Sequence, residues 1–415
     1  MALDTCTESA AAGSPAPWPL ELLDPALLRR QGLRAVPFRQ FVVKLHGRCN
    51  LACDYCYLYT FADQGWRQRP GRMAHATLVR TAERIAEHAA AHRLPDVGLV
   101  LHGGEPLLGG AGPLLAAVHE VGRRLPDGCR LRATVQTNGV LLTRELLREL
   151  AAVGITVGVS LDGGSPEQNR HRLDHAGRSS WAAVARGVEL LRSEFPESYA
   201  GLLLTVDRTQ DPVAVFESVL AFAPPLVDLL LPHGNWSDPP PGLRPTPYGE
   251  PQQTPYGDWL CAVFDRWWGA DREQVRVRLF EEVLALLLGL PGATESLGTS
   301  PAALVVVETD GAIGQVDTLA SAYPGASATG LDVHRHPFDL ALDHPGIVAR
   351  QLGTAGLSAT CLDCPLHPVC GGGQYPHRYR AGEGFHNPSV YCADLELLIR
   401  HVHRALRRTA DGEDR

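Results

Sequence analysis

The chain has 415 residues, room for two or three domains of ~100–200 residues each. With 45 % hydrophobic and 20 % charged residues its composition is that of a core-forming globular protein. That excludes a mainly disordered, collagenous or coiled-coil chain, and a net charge of −8 leaves no basic footprint for nucleic acid. Of 38 basic residues only Lys44 is lysine, an arginine bias that fits GC-rich coding, as do the abundant Ala, Gly and Pro.

Residues 1–17 carry acids and no basic residue ahead of an apolar run, so they do not read as a secretory signal. The longest apolar run, 283–290 with Gly289 inside it, is far shorter than the ~20 residues of a membrane helix. The expectation is a cytoplasmic protein without a membrane or nucleic-acid partner. Reduced thiols are the rule there, so ten cysteines do not imply a disulfide framework. Seven of them cluster, as Cys49, Cys53, Cys56 and then Cys361, Cys364, Cys370, Cys392, which points to metal. Cys6, Cys129 and Cys261 stand alone and read as small buried or incidental thiols.

From residue 41 onward, short β-branched or aliphatic runs alternate with amphipathic stretches. Strands are expected over 41–45, 97–101, 131–136, 155–161, 201–206 and 226–231. Helices are expected over 74–91, 113–124, 144–152, 181–193 and 212–221, where apolar residues recur every three or four positions. Six such units imply right-handed βαβ crossovers and an incomplete (βα)6 barrel, an α/β fold. A Pro-rich break follows over 232–255, then helices over 256–268 and 278–288, and a hairpin of 304–308 and 313–316 around Asp310-Gly311. The division expected is an N-terminal arm (1–38), a partial barrel (39–235), a linker with bridging helices (236–300), a cysteine-rich domain (301–395) and a charged, frayed tail (396–415).

Cys49, Cys53 and Cys56 have C-x3-C-x2-C spacing directly after the first strand. Three thiolates in a tight loop can hold three irons of a [4Fe–4S] cube and leave the fourth open to a small molecule. Zinc, with His46 as fourth ligand, is the competing reading. The second group, C-x2-C-x5-C-x21-C, suits zinc and iron–sulfur equally on spacing alone.

The triad with Tyr55 in its aromatic slot resembles the signature of radical S-adenosylmethionine (SAM) enzymes. The likeness extends over roughly 36–232 and includes His102-Gly103-Gly104-Glu105-Pro106, Gln136-Thr137-Asn138-Gly139 and Ser160-Leu161-Asp162-Gly163 at successive strand ends. By that resemblance the Tyr55 backbone lies near the adenine, and Gly103, Gly104 and Glu105 belong to the element that receives the methionine amino group. Ser160 and Asp162, with Asn138 behind them, contact the ribose. Arg172 stands where an arginine pairs with the SAM carboxylate, with Arg170 as the neighbouring alternative. The glycines would let backbone approach the ligand closely. The activity implied is reductive cleavage of SAM to a 5′-deoxyadenosyl radical, which abstracts hydrogen from unactivated carbon.

The C-terminal segment resembles the SPASM domain of radical SAM peptide maturases, whose full pattern has seven cysteines and two auxiliary clusters. Here Val316 and Gln374 stand at two of the cysteine positions, and no cysteine lies between Cys261 and Gly311. The resemblance therefore implies two [4Fe–4S] clusters in all, the auxiliary one on Cys361, Cys364, Cys370 and Cys392. It also argues against an anaerobic sulfatase maturase. Asp317 stands where formylglycine-forming relatives carry a general base, and a turn carboxylate is the plainer reading.

The segments 232–236, 308–311, 370–379 and 385–392 resemble the FxsB-type, three-residue cyclophane-forming maturases. That implies a C–C crosslink between an aromatic ring and the Cβ of a nearby residue in a ribosomal precursor peptide, with a ferredoxin or flavodoxin as electron donor. The alternatives are thioether formation, oxidation of Ser or Cys to formylglycine, or a peptide-binding protein without activity. A ~90-residue winged-helix peptide-binding domain is not expected before 41 or after 392, and leader recognition is expected to use the barrel mouth, the Pro-rich loop or a separate protein.

Overall fold

The computed structural model describes residues 18–244, 252–271 and 274–412. The N-terminal segment 1–17, Cys6 and part of the Pro-rich break lie outside them. Among the described residues ten strands form one sheet in the order β10-β9-β8-β1-β2-β3-β4-β5-β6-β7. The six barrel strands are β1 (Gln40–His46), β2 (Asp96–Gly103), β3 (Arg130–Thr137), β4 (Ile155–Ser160), β5 (Tyr199–Thr205) and β6 (Leu226–Leu230). They pair in parallel, in chain order. After a short α1 (Pro25–Arg30), the crossover helices are α2 (His75–Ala91), α3 (Ala111–Gly122), α4 (Arg144–Ala152), α5 (Trp181–Glu194) and α6 (Pro212–Leu220). Every element expected from the apolar periodicity is present, with ends shifted by one or two residues.

Alternation along the strands explains the two layers. In β2, Val97, Leu99 and Leu101 are buried beneath the helices, whereas Gly98, Val100 and His102 are only half-buried. The same period of two leaves Thr134 and Gln136 in β3, and Thr156 and Ser160 in β4, half-buried on the opposite face. These side chains meet across the sheet, Thr134 with Thr156 at 2.9 Å and Gln136 with Ser160 at 3.0 Å. The helices cover an apolar outer layer, and the inner wall at β3 and β4 carries polar, half-buried side chains.

Three features differ from the sequence expectation. The two-residue β7 (Arg276–Val277) extends the sheet beyond β6. The hairpin exists as β8 (Leu304–Val307) and β9 (Ala312–Gly314), continued by β10 (Ala328–Asp332). Rather than standing apart, β8 pairs in parallel with β1, so the C-terminal segment continues the barrel sheet. The tail is not frayed: a helix runs from Cys392 to Asp411. It buries Leu395, Leu398, Ile399, Val402 and Ala405 and packs along α7 (Pro255–Trp268) and α8 (Arg278–Leu287), which holds its charged residues on the outer face. No helix among the described residues is long and apolar enough to cross a membrane.

Candidate functional site

The loop after β1 carries Cys49, Cys53 and Cys56, all half-buried free thiols. Burial pushes all three upward in pKa, Cys53 to about 12. Three desolvated thiols in one loop need a cation before they can be thiolates together. The loop is clamped by the segment after β4. Ala52 N donates to the Leu173 carbonyl at 2.7 Å, Leu51 bridges Asp174, and His175 donates to the Cys49 carbonyl at 2.9 Å.

That clamp delivers Arg172. Its guanidinium is buried, donates to the Tyr55 hydroxyl at 2.8 Å, and retains an unpartnered Nε. The Tyr55 hydroxyl in turn donates to the Asp162 carboxylate, whose other oxygen accepts from Thr205 N at 3.1 Å. Three residues expected to contact SAM are thus one hydrogen-bonded chain beside Cys53. Arg170 points elsewhere, to Asp207 at 2.7 Å and Glu167 at 2.9 Å. A buried arginine with an orphaned donor is a fit for an anionic group, because leaving it unpaired is costly.

Two other expected contacts turn inward instead. Glu105 is fully buried and accepts from Leu107 N (2.9 Å), Thr137 Oγ1 (2.7 Å) and Asn138 N (2.7 Å). Its carboxylate staples β2 to β3, Oε1 taking two of these bonds and Oε2 one. Asn138 donates from Nδ2 to Asn50 at 2.7 Å and to the Cys49 sulfur at 3.6 Å, so it orders the cysteine loop rather than projecting toward a ribose. The glycines have a structural reason too. Gly104 N donates to the His46 carbonyl at 2.8 Å, and a Cβ there would collide with the Tyr59 hydroxyl and the Arg48 carbonyl. Gly103 approaches the His46 backbone at the end of β1, and Gly104 approaches Arg48 and Tyr59, which flank the cysteine loop. Ser160 stays on the inner wall, accepting from Gln136.

The remaining four cysteines converge. Cys361, Cys364, Cys370 and Cys392 line one small cavity with Thr360 and His367. Burial and mutual repulsion push Cys392 up to about 12, and Cys370 is raised to about 11 chiefly by burial. Gly371, Gly372 and Gly373 follow with φ of 59°, 77° and 69°, a left-handed turn that only glycine forms easily. Arg378 ties this turn through the Gly371 and Gly373 carbonyls (2.5 and 2.7 Å) and has no carboxylate partner among the described residues. A buried guanidinium beside Cys361 and Cys370 is a charge complement for an anionic tetrathiolate centre. Around Val316, one residue before Asp317, and Tyr375, one after Gln374, an apolar cluster of Leu319, Ala322, Tyr379 and Phe385 is packed instead.

Asp317 begins a short turn after β9 and reaches the inner wall of β1. Its Oδ1 lies 2.8 Å from Lys44 Nζ, and Glu308 Oε1 lies 2.8 Å from the same nitrogen. The register explains the meeting: Val43 pairs with Val307 and Lys44 with His102, so Lys44 sits between Glu308 and His102. Burial opposes the Lys44 charge, but Asp317 and Glu308 outweigh it and raise its pKa. Burial dominates at Glu308 and raises it as well. Sequence reasoning missed Glu308 and gave Lys44 no role, although its status as the single lysine was visible.

Residues 43–216 match the Radical SAM superfamily model. The serine-type anaerobic sulfatase-maturating enzyme of Klebsiella aerogenes is 35 % identical over 179 residues, 41 % of this chain and 42 % of that protein. The cysteine-type enzyme of Clostridium perfringens (strain 13 / Type A) is 25 % identical over 276 residues, 64 % of this chain and 70 % of that one. The matched stretch thus spans less than half the length of the Klebsiella relative. The solved structure of native anSMEcpe with bound AdoMet and Cp18Cys peptide superposes with a TM-score of 0.72 at 19 % identity, covering 90 % of this chain and 99 % of that one. The chain therefore carries a radical SAM fold in its barrel, similar in sequence there to anaerobic sulfatase-maturating enzymes and alike in fold over most of its length.

Proposed function

We propose that the chain is a radical SAM peptide maturase that joins an aromatic ring carbon to the Cβ of a residue two positions on in a ribosomal precursor peptide. Cys49, Cys53 and Cys56 would hold one [4Fe–4S] cluster, and Cys361, Cys364, Cys370 and Cys392 an auxiliary one. Bound at the first site, cluster and SAM would supply a 5′-deoxyadenosyl radical when reduced by a ferredoxin or flavodoxin. Arg172, held by Tyr55 and Asp162, orients the SAM carboxylate by a charge-assisted hydrogen bond. Asp317 takes the proton that the substrate loses.

The observation that carries this reading is a cavity of about 720 Å³ walled by Tyr323, Tyr375, Tyr379 and Phe385, with Leu319, two residues from Asp317, in its lining. Its size and aromatic walls suit a peptide segment bearing a ring. A second reading, oxidation of Ser or Cys to an aldehyde, draws support from the names of the relatives above. Tandem mass spectrometry of a precursor peptide after anaerobic co-expression separates them. A crosslink removes two hydrogens and suppresses backbone fragments between the joined residues. An aldehyde fragments normally and reacts with hydrazine.

A further inference from the structure

We propose that Lys44 and Glu308 form a proton exit from the barrel, carrying to solvent the proton that Asp317 takes from substrate. The inference rests on the reading of Asp317 as base, and it serves crosslinking and aldehyde formation equally. Both oxidations release one proton and one electron after hydrogen abstraction. The electron leaves to a one-electron acceptor of the iron–sulfur class.

The geometry is continuous. Lys44, Glu308 and Asp317 are 6 %, 7 % and 7 % exposed, so a proton on Asp317 has no ready contact with bulk water. Lys44 Nζ touches both carboxylates at 2.8 Å. The ammonium can pass one proton to Glu308 while it takes the one on Asp317, which leaves Asp317 ionised and Glu308 neutral. Glu308 then lies at the wall of a second cavity, of about 250 Å³, shared with Arg69, Asp332 and Arg335. Arg69 Nη1 is 3.2 Å from Glu308, and its Nε is 3.7 Å from Asp310, whose side chain is 39 % exposed. Arg69 keeps its own protons and holds the Glu308 carboxylate at the cavity wall, and Glu308 itself gives the proton to water there.

The neighbouring histidine does not offer the same service. His102, beside Lys44 in register, is held neutral by burial. The residue type is also informative. The chain uses arginine for 37 of its 38 basic residues, 38 less the one lysine. An arginine at 44 would keep the charge but could not release a proton, whereas a buried lysine can. This position keeps the one cationic side chain that exchanges protons.

Glu308→Gln in the holoenzyme is the test, with Glu308→Asp as the conservative rescue. Loss of one proton-accepting group costs about 10²-fold, the low end for general acid–base groups, and that loss is expected in product formation. 5′-Deoxyadenosine formation stays near the wild-type rate, a solvent isotope effect emerges on the product step, and Glu308→Asp recovers part of the rate. Equal loss of both products, or no loss, overturns the relay. A second readout is independent of the peptide. Labelling with ¹⁵N-lysine gives one side-chain ammonium signal, and its exchange with water is expected to slow in Glu308→Gln. Unchanged exchange would sink the relay whatever the enzyme makes. A wild-type enzyme that modifies no peptide would instead sink the functional reading.

Discussion

Glu105→Gln asks whether the glutamate after the paired glycines is a staple. In the native protein its two oxygens accept from three donors, Leu107 N, Thr137 Oγ1 and Asn138 N, at 2.7–2.9 Å. Glutamine offers one acceptor. With its oxygen facing Thr137 and Leu107, its amide meets the Asn138 N–H donor to donor. Reversed, the Leu107 N–H is orphaned, and Thr137, whose hydroxyl also accepts from Gly139 N, must turn. One buried bond to a charged group is lost either way, about 1.5–3 kcal/mol.

The opposing effect is desolvation. Burial raises the Glu105 pKa, so ionised glutamate itself costs folding stability, and Gln removes that cost. The net expectation is a destabilisation of about 1–3 kcal/mol by denaturant unfolding. Wild type should also lose stability as pH rises from about 4.5 through the raised folded value, because burial disfavours the carboxylate, whereas the variant carries no such slope. Asn138, whose N–H is freed, should then hold Cys49 less firmly, and iron uptake at the first site should slow. A variant within about 0.5 kcal/mol of wild type, with normal iron uptake, would refute the staple.

Arg172→Met should weaken SAM binding about 10–100-fold by calorimetry, the worth of one charge-assisted hydrogen bond; unchanged affinity would remove Arg172 from the site. Purified protein should carry about eight iron atoms per chain, and Cys361→Ala with Cys364→Ala about four, with SAM cleavage retained. Zinc in place of the second four irons would contradict the auxiliary assignment. His233, whose pKa burial lowers to about 4, should show ring resonances that do not move on acidification from neutrality to about pH 5. A midpoint near 6.5 would mean that the ring is solvated.

How far the sequence carried the structure depends on the range of the interaction. The six strands and five crossover helices follow from local periodicity, as Val97, Leu99 and Leu101 under the helices illustrate. The terminal helix had its stripe in plain view at Leu395, Leu398, Ile399 and Val402, but charge between those residues masked it. Side-chain direction was less accessible. Nothing in the motif shows that Glu105 turns back onto β3, or that Asn138 spends its amide on Asn50 and Cys49. Least legible was the inner wall around Lys44. Its partners Glu308 and Asp317 arrive more than 260 residues later, through the parallel pairing of β8 with β1.

The most direct test of the central claim uses a precursor peptide deuterated at the Cβ that is to be attacked, incubated with reconstituted enzyme, reductant and SAM. The account predicts that 5′-deoxyadenosine gains deuterium while the peptide loses it and acquires its crosslink or aldehyde. Unlabelled 5′-deoxyadenosine with a peptide of unchanged mass would contradict a radical SAM peptide maturase.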